Sequence, residues 1–151
     1  MKTPTALAEA STETWALFLK AHAVLLDAME QRLKDAGLPA LTWYDVLWAL
    51  ERAPDQRQRM HALAEQLVLT RFNLTRLVDR LAAAGLVARQ RTREDGRGAH
   101  AVLTEKGRAL RKRMWPVYRT AIAELFNRHL DNADQANVQM LLRKILAPGT
   151  D

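Results

Sequence analysis

Arg71, Asn73, Thr75, Arg76 and Arg80 fall within one short stretch, alternating with Leu74, Leu77, Val78 and Leu81 at the three- and four-residue spacing of a helix. One side of that helix is apolar and fit for burial, and the other offers guanidinium and amide groups. Those groups match the hydrogen-bonding edges of guanine and adenine, each good match giving about 1–3 kcal/mol of discrimination. Thr70 and the backbone amides beside it suit a phosphate through the helix dipole. Downstream, Arg93-Glu94-Asp95-Gly96-Arg97-Gly98 has the Asp-Gly turn chemistry of a hairpin tip. Such a tip, with Arg93 on its rise, could carry Arg97 into a minor groove, where narrow A·T tracts attract guanidinium. Asp95 would then hold Arg97 in one pose; the plainer alternative is a local turn ion pair of little energetic weight.

Charge follows the same segment. Residues 70–113 hold twelve basic and four acidic side chains, whereas the 151-residue chain as a whole has a net charge of +6, so the remainder is slightly acidic. Duplex DNA would meet this face favourably, because each phosphate neutralised releases condensed counterions. Arginine predominates, and its planar fork suits phosphate and guanine better than an ammonium does. A basic run alone is equally consistent with a solvated surface. The helix and hairpin around it favour the duplex reading.

No enzymatic reaction is suggested. His22, His61, His100 and His129 are far apart and lack metal-ligand spacing, no serine sits in a glycine-flanked elbow, and Asp45 with Glu51 is an ordinary exposed pair. Cysteine is absent, which removes disulfides, thiolate zinc sites and thiol-based oxidation sensing. No cofactor is implied. No apolar run approaches the roughly 20 residues that span a bilayer, and the start lacks the order of a signal peptide. No membrane partner is expected, and a cytoplasmic location is the default. At 48% hydrophobic residues the chain can bury a core.

The elements that must position these groups are mostly helical. Trp15, Leu19, His22, Leu26, Met29 and Leu33 predict a long amphipathic helix over residues 12–36, with Ser11 as its cap and Gly37 and Pro39 closing it. Thr42 is the expected cap of a second helix with Trp43, Val46, Leu47 and Leu50 on one face, ended by Pro54. Residues 54–58 read as a polar loop. Met60, Leu63, Ala64 and Leu67 mark a short third helix; the arginine-bearing fourth starts at Thr70 and stops at Gly85. The period then changes, and residues 86–91 and 99–103 are predicted as the strands of the hairpin. Thr104 opens a fifth helix running to about His129 with a kink expected at Pro116. Asp131 or Asn132 leads into a last helix, about residues 134–146, with Val138, Leu141, Leu142 and Ile145 on one side.

Taken in order, these residues resemble the MarR-type winged-helix transcription regulators. The likeness runs through Leu41-Thr42-Trp43-Tyr44-Asp45-Val46-Leu47, Leu74-Thr75-Arg76-Leu77-Val78-Asp79-Arg80-Leu81, Gly85-Leu86-Val87, Asp95-Gly96-Arg97 and Leu103-Thr104-Glu105-Lys106-Gly107-Arg108. Each fragment is weak by itself, and the order and spacing make the set specific. The resemblance implies a mainly α fold with a small β-hairpin wing, a winged helix-turn-helix with long flanking dimerisation helices. The DNA-binding lobe would be residues 41–104, and the dimerisation region residues 1–40 with 105–151. It further implies a homodimer on a palindromic operator and repression, or less often activation, relieved by small molecules. Thr70, Arg71, Asn73, Thr75 and Arg76 would contact the major groove and Arg97, beside Asp95, the minor groove. Two positions depart from the family pattern. His61 stands where a serine is common, and Phe72 is bulkier than usual, leaving open whether it packs inward or meets DNA.

The flanking helices support association independently. A winged lobe of roughly 65 residues cannot cover their apolar stripes, and uncovered stripes of that size mark an interface. Leu7, Trp15, Phe18, Leu125, Phe126, Leu130, Leu141 and Ile145 are the candidates; the alternative is a monomer with these helices folded onto the lobe. Trp15 and Trp43, with His22 as a titratable edge, could line a pocket for an aromatic effector. The plainer alternative is core aromatics and a satisfied histidine. A further alternative to a regulator is a packaging protein that binds duplexes without sequence preference.

Overall fold

Leucine and alanine at helical spacing, punctuated by Gly37, Pro54 and Gly85, fold as the periodicity requires. The computed structural model describes residues 4–67, 69, 71–91 and 98–149, and for 4–10, 71 and 72 the backbone alone. Those residues form helices α1 (Pro4–Asp35), α2 (Leu41–Arg52), α3 (Met60–Gln66), α4 (Arg71–Ala83), α5 (Glu105–Leu125) and α6 (Asn132–Leu146). Strands β1 (Arg57–Arg59), β2 (Val87–Arg91) and β3 (Ala99–Leu103) make an antiparallel sheet in the order β1-β3-β2.

Several boundaries differ from expectation, each for a local reason. α1 begins at Pro4, so Ser11 lies inside it rather than capping it. α2 starts at Leu41 with Ala40 in the cap position and no side-chain cap, which puts Thr42 in its first turn. Residues 54–58 are not simply a loop: a 3-10 turn at Pro54–Gln56 leads into β1. Arg-Gln-Arg has no apolar alternation to announce a strand. It becomes one because Arg57, Gln58 and Arg59 pair with Val102, Ala101 and His100. α5 continues through Pro116 but ends at Leu125, where a 3-10 turn at Asn127–His129 takes over. Asp131 caps α6 in a reciprocal box, its carboxylate accepting from the Asp134 amide at 2.8 Å while Asp134 accepts from the Asp131 amide at 3.1 Å.

α4 stops where Gly85 adopts φ +75°. The Gly85 amide donates to the Ala82 carbonyl and the Leu86 amide to that of Leu81, both at 2.9 Å, so the last carbonyls of the helix are satisfied. A left-handed turn of this kind excludes most side chains.

The chain divides into two compact units, Met1–Arg32 with Arg119–Asp151, and Leu33–Tyr118. The second holds a continuous core in which Val46, Leu47 and Leu50 of α2, Leu63 of α3, and Leu74, Val78 and Leu81 of α4 are at most 1% exposed. Each such side chain contributes about 1.5–3 kcal/mol of apolar burial. At its edge, Tyr44, Trp115 and Tyr118 form an aromatic cluster with ring centroids 5.1–6.2 Å apart, and burial pushes both phenols above their usual pKa.

The first unit is different. Arg32 pairs with Glu124 at 2.6 Å, and Met29 and Ala121 are buried. Yet Trp15, Phe18 and Leu19 of α1 stay exposed, as do Leu141, Ile145 and Leu146 of α6, the last two by more than 70%. No helix among the described residues is long and apolar enough to cross a membrane.

Candidate nucleic-acid interface

α4 divides as its sequence requires. Leu74, Leu77, Val78 and Leu81 are buried in the core, and Asn73, Thr75, Arg76 and Arg80 are exposed on the opposite side. A helix fits the major groove only if its outward side is polar and its inward side holds it rigidly, and α4 meets both conditions. Thr70, Arg93, Asp95 and Arg97 lie outside the described residues, as do the side chains of Arg71 and Phe72.

Two joints fix α4 relative to the sheet. At mid-helix, the Arg89 guanidinium of β2 reaches Asp79 at 3.0 Å and donates to the Thr75 carbonyl at 3.3 Å. At the carboxyl end, Thr104 Oγ1 donates to the Gly85 carbonyl at 2.7 Å and accepts from the Gly107 amide at 3.0 Å. It therefore caps α5 and ties down the end of α4 in one side chain. Lys106 Nζ adds a bond to the Ala84 carbonyl at 2.8 Å, a cation at a helix carboxyl terminus. Gly107 closes the joint, because a Cβ there would meet the Leu86 carbonyl at 2.1 Å.

The basic surplus is therefore smaller at the surface than the count of residues suggests. Arg89 is engaged by Asp79. Arg108 is shared among Glu105, Glu51 and Gln56, and Arg111 is paired with Glu51 while lying 5.0 Å from the Trp48 ring centroid. These three arginines hold elements together. Sequence reading missed the Asp79–Arg89 pair because the nine intervening residues, in two kinds of secondary structure, hide it.

The aromatic trio fares differently. Trp15 is 60% exposed and stacks on Phe18 with centroids 6.2 Å apart, and His22 is exposed on the same helix. Trp15 is thus not a core aromatic of its unit. Trp43 is half-buried against the core of the other unit, so no single unit contains all three. Sequence reading did not single out the cavity of about 480 Å³ in the first unit, lined by Val24, Leu25, Ala28, Arg32, Glu124, Leu125, Arg128 and His129.

Comparison with known proteins agrees with this architecture. A profile described as the MarR family matches residues 36–98. The structure is similar to that of Sco3205 from Streptomyces coelicolor, a MarR family transcriptional regulator solved in complex with DNA. The two share 30% identity over 91% of this chain and 88% of that one, with a TM-score of 0.83. AbsC, a MarR family regulator from the same organism, matches at 26% identity over 97% of this chain and 95% of its own, with a TM-score of 0.82. The HTH-type transcriptional regulator YkoM of Bacillus subtilis is 29% identical over 87 residues, or 58% of this chain, and the match spans only 56% of YkoM.

Proposed function

The chain belongs to the MarR family of transcriptional regulators, and from that premise we propose that it acts as a homodimeric repressor on a palindromic operator, released by a small-molecule effector. In this reading Thr70, Arg71, Asn73, Thr75, Arg76 and Arg80 face the major groove, Arg97, held by Asp95, enters the minor groove, and Arg93 on the rise of the hairpin also contacts the duplex. The observation that carries it is the division of α4, with its leucines locked in the core and Asn73, Thr75, Arg76 and Arg80 outside. Paired donors on a rigid outward helix face favour base readout over simple charge attraction. Residues 41–104 would read DNA, while residues 1–40 and 105–151 hold the two copies together in a cytoplasmic, DNA-bound dimer. The exposed apolar faces of α1 and α6 support association, since a monomer would leave Trp15, Phe18, Leu141 and Ile145 in water.

Affinity for the palindrome upstream of the chain's own gene, measured against a scrambled duplex at fixed salt, tests this directly. Specific readout requires a preference of at least about a thousandfold. Equal affinities would replace the regulator with an architectural protein that packages duplexes without preference.

A further inference from the structure

The cavity of about 480 Å³ in the first unit is left unused by base reading through α4. Its walls come from two segments. Val24, Leu25, Ala28 and Arg32 follow one another at steps of one, three and four residues, so they share one side of α1. Glu124 and Leu125 end α5, and Arg128 and His129 follow in the 3-10 turn. The volume falls within the roughly 300–1,000 Å³ of small-molecule sites.

The 3-10 turn sets the charge of this cavity. Had α5 run on to His129, Glu124 and Arg128 would stand at the i, i+4 spacing of a helical ion pair. α5 stops at Leu125 instead, and Glu124 takes Arg32 at 2.6 Å. The next acid along the chain, Asp131, is spent on the cap of α6, accepting from the Asp134 amide. Among the described residues, the side chains of Arg128 and His129 have no hydrogen-bond or ion-pair partner. With Arg32 and Glu124 neutralising each other, one guanidinium and one imidazole are left to receive a ligand. The guanidinium fork matches a carboxylate, and the imidazole has an N–H to donate in either tautomer.

The remaining walls, Val24, Leu25, Ala28 and Leu125, are aliphatic, and no lining side chain carries a phenyl, phenol or indole ring. Val24 is 59% exposed, apolar surface that a ligand would take out of water. We propose that this cavity binds an aliphatic monocarboxylate, its alkyl chain against the four aliphatic walls and its carboxylate on Arg128 and His129. The assignment rests on the reading of the chain as an effector-released regulator and gives that effector a chemical class. It shares no residue with Trp15, His22 and Trp43. A second copy of the chain is the competing occupant, and a helix seated there would leave no room for the ligand.

The test is isothermal titration calorimetry of the full chain with hexanoate, octanoate and decanoate below their micellar concentrations. Octanoate should bind saturably, with affinity rising at least about twofold per added methylene, against about fourfold for a methylene buried completely. Octylammonium should not bind. Arg128→Gln should weaken octanoate at least about threefold and leave octanol unchanged, because an exposed arginine contributes modestly. Ala28→Phe, which fills the cavity, should abolish binding of both. Far-UV circular dichroism confirms that each variant is folded, and Arg128→Gln decides alone if Ala28→Phe is not. A wild-type chain that binds no octanoate, or variants that bind it as the wild type does, overturn the proposal and leave the palindrome measurement unaffected. Loss of palindrome preference would instead overturn the regulator reading, with the octanoate titration unchanged.

Discussion

Gly107 offers the sharpest test of how the lobe is assembled. It is the third residue of α5, in the first turn, where alanine gains at most about 1 kcal/mol over glycine. Here an added Cβ would stand 2.1 Å from the Leu86 carbonyl oxygen, 2.9 Å from Leu103 Cδ1 and 3.1 Å from Leu47 Cδ2. The leucine methyls can rotate away, but the carbonyl is backbone and accepts from the Thr104 amide at 3.3 Å. Relief therefore requires the start of β2 to move off α5. Overpacking of this kind costs about 1–3 kcal/mol, and loss of the Thr104–Leu86 bond adds about 1 kcal/mol. After the helix-propensity gain, Gly107→Ala should destabilise by about 1–3 kcal/mol. For a chain of this size that lowers the melting midpoint by about 3–9 °C. Thermal and urea unfolding followed by circular dichroism, at one fixed protein concentration, measure it. A variant as stable as the wild type or more so, which propensity alone predicts, would refute the close approach of α5 to the base of the wing.

Thr104→Val removes both the α5 cap and the donor to the Gly85 carbonyl, so it should cost about 1–2 kcal/mol in urea unfolding, with Thr104→Ser near wild type. Because His100 binds its proton less tightly folded than unfolded, its contribution is intact above the unfolded pKa of about 6.5 and declines as pH falls through that value, levelling below the folded pKa. Melting midpoints between about pH 7 and pH 5 should accordingly fall less steeply for His100→Gln than for the wild type; parallel curves would count against the shift. Ile145→Asp places a carboxylate on the exposed apolar face of α6 and should convert the proposed dimer to monomer in sedimentation velocity, whereas a variant that sediments as the wild type does would place no interface on this face.

Much of the unit around α4 was legible in the chain because the relevant physics is local. Leu74, Leu77, Val78 and Leu81 repeat with the helical period, and period alone decides which side of α4 can be buried and which polar residues remain outside. Gly85 announces the stop because few other residues tolerate φ +75°. The strand 99–103 and the end of α6 were equally visible from alternation and spacing.

What tertiary structure alone decided is which charged groups are spent on the fold and which face a partner. Arg89 looked like one more cation for a polyanion, but only the approach of β2 to α4 puts Asp79 within 3.0 Å of it. Arg-Gln-Arg at 57–59 has no intrinsic preference for a strand, and pairing with β3 makes it one, lining Arg57 and Arg59 up beside His100. Gly107 sits in a helix that would favour alanine, and only the Leu86 carbonyl of a distant segment excludes it. Helical period and turn chemistry act over a few residues and can be read along the chain. Ion pairing, strand pairing and close backbone contact join residues far apart in sequence, and they exist only once the chain has folded.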